Sequence, residues 1–124
     1  LTPGNVPYAQ MPEWMNCLDV LVLPSQKEGL PLVALEAIAC GANVAATDVM
    51  GTAEAVGKQN VVPLDDNMVE NLAQRTAEML ACGVVQTVPS DMNWEATARR
   101  EMDIYESAMQ TRRTGLQGNS PLTT

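Results

Sequence analysis

The residues of this chain whose types and spacing can do chemistry lie in one stretch. Glu28-Gly29-Leu30-Pro31 is followed, after Leu32-Val33-Ala34-Leu35, by a further carboxylate at Glu36. Glu28 in a loop can reach ligand hydroxyls, and Gly29 lets a ligand approach the backbone closely. The amides of Leu32 and Val33 fall in the first turn of the helix that this loop opens. N–H groups there have no intrahelical acceptor, and the helix dipole favours an anion. Glu36 would rise from the second turn. Carboxylates beside orphan amides suit a ligand that carries both hydroxyls and phosphate. The same residues also fit a plainer role, in which Glu28 is a favourable partner for the dipole and Glu36 is a solvated residue on an exposed helix face. Lys27 is the cation near this loop, in a chain with net charge −8, so amides alone would hold a diphosphate weakly.

Other chemistries are excluded by composition. The sequence has no His, which removes a Ser-His-Asp hydrolase, a His-ligated zinc site and a His phosphocarrier. Cys17, Cys40 and Cys82 are odd in number, widely spaced and set among apolar neighbours. They read as reduced core thiols in a cytosolic compartment. Acidic residues number 15 against 7 Lys plus Arg, which argues against a nucleic-acid partner. No apolar run reaches the roughly 18–20 residues of a membrane span, and Leu1-Thr2-Pro3-Gly4 lacks the charged start of a signal peptide. The missing initiator Met fits an internal piece of a longer protein.

The elements that must position Glu28 and Glu36 follow from local patterns. Asp19 to Pro24 contains an apolar run without alternation, as in a strand covered on both faces of a parallel sheet. Pro12 to Leu18 predicts a short helix feeding that strand, with Pro at its first turn. Pro31 and Gly41 bracket a helix over 32–40 by the Pro-in, Gly-out asymmetry. Residues 43–47 and 60–64 predict weaker strands, with a loop and one helical turn over 51–57 between them. Asp66 is placed to cap a helix in which Val69, Leu72, Ala73, Thr76, Met79 and Leu80 recur at three and four, ending at Gly83. A last helix begins near Asp91 or Asn93, with Trp94, Ala98, Met102, Tyr105 and Met109 on one face. With 124 residues, 46% of them hydrophobic, and 3% aromatic, the chain can build one aliphatic core. The order of elements predicts an α/β fold with a parallel sheet and helices packed on it. From Thr111 onward the composition reads as a frayed tail.

Taken together in order, these residues resemble a known family. Asp19-Val20-Leu21-Val22-Leu23-Pro24-Ser25, then Glu28-Gly29-Leu30-Pro31, then Leu35-Glu36-Ala37-Ile38-Ala39-Cys40-Gly41 is similar to the donor-site signature of glycosyltransferase family 4, whose enzymes have the two-domain GT-B fold. That signature carries two glutamates separated by seven residues, matched by Glu28 and Glu36. Gly4-Asn5-Val6-Pro7 with Met11-Pro12-Glu13-Trp14-Met15 resembles the preceding strand and helix. Gly51 with Glu54 falls where the family has a Gly-Gly loop followed by Glu, and Asn93 to Thr97 with Ile104-Tyr105-Glu106 resembles its closing helix. Thr52 departs from the second Gly, and Lys58-Gln59-Asn60-Val61 lacks a Gly that the family often has there.

The resemblance implies a Rossmann-like open parallel sheet flanked by helices, forming part of the C-terminal domain of a GT-B glycosyltransferase. It implies a partial nucleotide-sugar-binding domain with its closing helix over 1–110, beyond which the composition leaves 111–124 as a flexible tail. The activity implied is retaining transfer of a hexosyl group from a UDP-, GDP- or ADP-sugar donor to an acceptor. Glu36 would accept hydrogen bonds from the ribose hydroxyls. Glu28, the residue given the catalytic role, would hold the donor hexose. Gly29, Leu30, Pro31, Leu32 and Val33 would line the donor site with their backbone. The family usually needs no metal ion and no cofactor. The diphosphate cations and the acceptor-binding N-terminal domain are expected upstream, so the isolated chain is expected to lack transferase activity. An alternative is a non-catalytic half-domain that binds ligand weakly or self-associates through an uncovered sheet edge. A related epimerising enzyme would need acid and base side chains that this stretch lacks. The expected location is cytoplasmic, with a peripheral position at the inner membrane face left open for a full-length form.

Overall fold

A short 3-10 turn at Tyr8–Gln10 runs into helix α1, Met11–Asn16, where Pro12 occupies the first turn and forfeits only an N–H that has no intrahelical acceptor. The computed structural model describes residues 4–83 and 85–117. Strand β1, Val20–Leu23, leads through the Gly/Pro loop to α2, Leu32–Ala39. Strand β2 spans Asn43–Thr47, α3 spans Thr52–Val56, and β3 spans Val61–Val62. Helices α4, Met68–Cys82, and α5, Trp94–Gln117, complete the order.

The sheet has three strands in the order β1-β2-β3. Both pairings are parallel, with Val20 opposite Asn43 and Leu23 opposite Ala46, then Ala46 opposite Val61 and Thr47 opposite Val62. Parallel neighbours need crossover connections, and α2 and α3 supply them. The period of two along a strand sorts side chains to opposite faces. Val44 and Ala46 join Met15, Ala34, Ala37, Ile38, Ala55 and Val56 beneath α1, α2 and α3. Ala45 joins Val62, Leu72 and Met79 beneath α4. Helices therefore cover both faces of the sheet, and the buried core holds no aromatic residue.

Several expectations change in three dimensions. The apolar run of β1 reads as a strand covered on both faces, yet Val22 is 41% exposed because β1 is an edge strand. The doubly covered strand is β2, whose last four residues are buried. Residues 4–7, which resemble a preceding strand, form none. The third strand is shorter than the predicted 60–64, and beside Val44, ahead of the point where β3 begins to pair at Ala46, Gln86 takes the place of a neighbouring strand. Val44 N–H donates to Gln86 Oε1 at 2.8 Å, and Gln86 Nε2 donates to Val44 O at 2.9 Å. A side-chain amide thereby continues the ladder along β2. Helix α4 starts from Asn67 rather than from Asp66, and the nearby carboxylate that binds a backbone N–H is Asp65, whose Oδ1 accepts from Asn67 at 2.9 Å. Gly83 ends the helix with φ +59, a left-handed conformation that costs Gly little. Cys17 and Cys82 are exposed at helix ends and are not core thiols; Cys40 is half-buried, and all three are free.

The chain divides into two compact units, Leu1–Val88 and Pro89–Thr124. In the second, Asn93 Oδ1 accepts from the N–H of Ala96 at 2.8 Å and caps α5. Arg99 pairs with Glu95 at 3.0 Å along the helix. Trp94, Met102, Tyr105 and Met109, predicted to share one face, are exposed. The helix continues to Gln117, through the position where composition places the tail, and residues 118–124 lie outside the described residues. Among the described residues no helix is long and apolar enough to cross a membrane.

Candidate functional site

Because every strand of the sheet runs the same way, the segments that follow β1, β2 and β3 all leave from its carboxyl edge. The segment after β1 carries Glu28. Its side chain is half-buried and held, since Ser25 Oγ donates to Glu28 Oε1 at 2.7 Å. Ser25 is itself held by β2, where Thr47 Oγ1 donates to Ser25 O. Thr47 is fully buried, and a hydroxyl so placed requires an acceptor.

The segment after β2 reaches the other side of Glu28. The N–H of Gly51 donates to Gly29 O at 3.1 Å. A Cβ at position 51 would stand 2.7 Å from that oxygen, closer than carbon and oxygen tolerate. Gly51 is thus demanded by close backbone approach. At Gly29 a Cβ would meet nothing within 4 Å, which leaves open space in front of the loop. Thr52, which departs from the family's second Gly, is accommodated at the start of α3. Its hydroxyl donates to Val49 O at 2.7 Å, and the residue is buried. Met50 beside it takes φ +43 and is 76% exposed. Downstream, Gly57 supplies a φ of +87 just ahead of the turn at Lys58–Asn60. Buried Asn60 there donates to Val56 O at 2.6 Å and accepts from Arg75 Nη2 at 2.7 Å.

Helix α2 continues the site. Pro31 is buried at its N-cap position with no side-chain cap. The N–H groups of Leu32 and Val33 find no backbone acceptor among the described residues, so the orphan amides of the first turn are unclaimed. The side chains of Leu30, Leu32 and Val33 are exposed. Glu36 is exposed on the second turn, and its carboxylate makes no hydrogen bond or ion pair among the described residues. Glu28, Gly29 and Gly51 are joined by hydrogen-bonded loops, whereas Glu36 is carried separately by regular helix. Sequence reasoning missed Thr47 and the role of Ser25. A Thr closing an otherwise apolar strand, where its hydroxyl must find a partner, was the available signal.

A separate apolar groove of about 620 Å³ runs between β1 and α4. Val22, Pro24, Met68, Leu72, Ala73 and Leu80 line it. None of the predicted site residues belongs to it.

Comparison with known proteins adds the following. Residues 2–82 match the family model described as glycosyl transferases group 1. The chain is 38% identical over 113 residues to a D-inositol 3-phosphate glycosyltransferase of Streptosporangium roseum, covering 83% of this chain and 26% of that protein. A second protein of that name, from Thermobispora bispora, is 33% identical over 115 residues, with 84% and 26% covered. A lipopolysaccharide core biosynthesis mannosyltransferase of Rhizobium meliloti is 34% identical over 115 residues, with 82% and 32% covered. The chain therefore spans about a quarter to a third of the length of these relatives. No solved structure matches it significantly.

Proposed function

The chain belongs to the group 1 glycosyl transferases, and from that premise we propose that it forms the donor-binding part of a retaining enzyme that transfers a hexosyl group from a nucleotide sugar. The observation that carries the reading is the arrangement at the carboxyl edge. A fastened carboxylate, Glu28, stands in the loop that opens α2, and that helix begins with unclaimed amides. A carboxylate accepts hydrogen bonds and binds vicinal hydroxyls well. Orphan amides at a helix start bind phosphate oxygens. A nucleotide sugar offers both groups on one molecule.

In this reading Glu28 holds the hexose and Glu36 accepts from the ribose hydroxyls. Gly29 through Val33 present backbone to the sugar and diphosphate. The open space in front of Gly29 leaves room for that approach. The names of the relatives support sugar transfer in general, and the mannosyltransferase among them supports a hexosyl group. The whole enzyme supplies the acceptor domain and the phosphate-binding cations, so the chain alone is inactive. We place the enzyme in the cytoplasm, with nucleotide sugar as its donor and no metal or cofactor in this half of the site.

The test uses the full-length enzyme with UDP-glucose, GDP-mannose and ADP-glucose, following the anomeric configuration of the product by NMR. Retention with one donor is expected, together with a raised donor KM in Glu36→Ala. Inversion overturns the proposed stereochemistry, and an unchanged KM overturns the ribose role of Glu36.

A further inference from the structure

We propose that Thr47 and Gly51, at the exit of β2, are positioning residues for Glu28, fastening the two ends of the segment that presents its carboxylate. The proposal rests on the reading of Glu28 as a donor contact and adds what holds that residue in place. From Ser25 to Gly29 the chain has no helix or strand to order it. Among the described residues Glu28 makes no direct hydrogen bond to β2, yet it lies between two attachments to that strand's exit.

The upstream attachment is a relay. Thr47 Oγ1 donates to Ser25 O, and Ser25 Oγ donates to Glu28 Oε1 at 2.7 Å. The same threonine hydroxyl approaches Leu23 O at 3.5 Å, where β1 ends. The downstream attachment is direct, with Gly51 N–H on Gly29 O at 3.1 Å and no space for a side chain at position 51. Val would suit the buried strand position of Thr47 as well as Thr does, because both are β-branched. The hydroxyl is therefore not required by the strand; what it adds is the link to the Glu28 segment. Binding groups act best when the protein holds them in place before the ligand arrives, because ordering then costs nothing at the moment of binding.

The relay is tested by backbone relaxation on the isotope-labelled chain, comparing wild type with Thr47→Val and Thr47→Ser. In the wild type, the amides of Glu28 and Gly29 should show order parameters of about 0.85, the value of rigid backbone, falling below about 0.6 in Thr47→Val. Thr47→Ser keeps the hydroxyl and should restore the rigid value, which a role in strand packing alone would not produce. Rigid Glu28 and Gly29 in Thr47→Val overturn the proposal, as do mobile ones in the wild type.

Should Thr47→Val fail to fold, Ser25→Ala removes the last hydrogen bond of the relay from a half-buried loop position. Averaged side-chain couplings at Glu28 are then expected, and couplings unchanged from wild type overturn the relay. The gap at position 51 is read by Gly51→Ala, which should displace the Gly29 amide resonance; an unmoved resonance overturns that attachment. The donor reading fails on a different measurement, an unchanged donor KM for Glu28→Gln in the full-length enzyme. That result would leave the order parameters as they are, so the two failures are separable.

Discussion

The loop that carries Glu28 and the helix that carries Glu36 place their carboxylates by opposite means. Glu28 sits on irregular backbone and owes its position to Ser25, three residues away, and through it and Gly29 to the distant Thr47 and Gly51. Glu36 sits on α2, whose buried Ala34, Ala37 and Ile38 anchor the whole helix on the sheet, and its carboxylate needs no partner of its own. A regular element fixes the direction of a side chain through backbone geometry and a packed opposite face. An irregular loop has no such frame and must be tied at particular atoms. The consequence is a difference in fragility: the Glu28 side of the site should respond to changes in β2 and its exit, whereas the Glu36 side should respond mainly to Glu36 itself.

The sharpest separation comes from Glu36→Ala. In the full-length enzyme the donor KM should rise roughly ten- to hundredfold, the loss expected for hydrogen bonds to a charged group worth about 1.5–3 kcal/mol. Stability by urea unfolding should stay within about 0.5 kcal/mol of wild type, as for exposed sites generally. A stability loss of several kcal/mol would show that the helix depends on Glu36 after all.

Gly51→Ala comes next. Its Cβ meets the Gly29 carbonyl at 2.7 Å, so backbone must shift, at a cost of about 1–3 kcal/mol in urea unfolding, like other overpacked positions. An unchanged unfolding midpoint would mean that the two loops separate freely, and the contrast with Glu36 would weaken.

Ser25→Ala should have a smaller effect, about 0.5–1.5 kcal/mol for one hydrogen bond, seen as a several-fold rise in donor KM. Equal donor KM in this variant and wild type would mean that Glu28 is placed without the relay. Gly29→Ala should change stability least, within about 0.5 kcal/mol, because its Cβ enters open space. Gly29→Val in the full-length enzyme should nevertheless lower donor affinity, and unimpaired binding would show that ligand does not approach the backbone there.

Much of the architecture was readable along the chain because it depends on near neighbours. Pro31 and Gly41 mark the ends of α2 within a residue or two, and the apolar run of Val20–Leu23 is a strand in the fold. The loop with Glu28 was likewise visible as punctuation between the two. What escaped depends on partners far away. Local apolarity made β1 look like the better-covered strand, but Asn43-Val44-Ala45-Ala46-Thr47 is the central one. Its alanines are small enough to let helices close on both faces, and smallness is a weak signal in a linear pattern. Gln86 gave no sign of completing the β2 ladder, because an exposed glutamine and a ladder-forming one look alike until β3 is seen to begin pairing only at Ala46.

By itself, the sequence determined the order of strands and helices, the aliphatic character of the core, and the placement of Glu28 and Glu36 in a loop and the helix it opens. These follow from backbone preferences and periodicities acting over a few residues. The tertiary structure alone decided which strand is central, which glycine is indispensable, and which atoms restrain Glu28. Those outcomes hang on hydrogen bonds and close contacts between residues about twenty positions apart, such as Ser25 with Thr47 and Gly29 with Gly51. Such pairs meet only when β1 and β2 align in parallel register, and no property of either segment alone specifies that meeting.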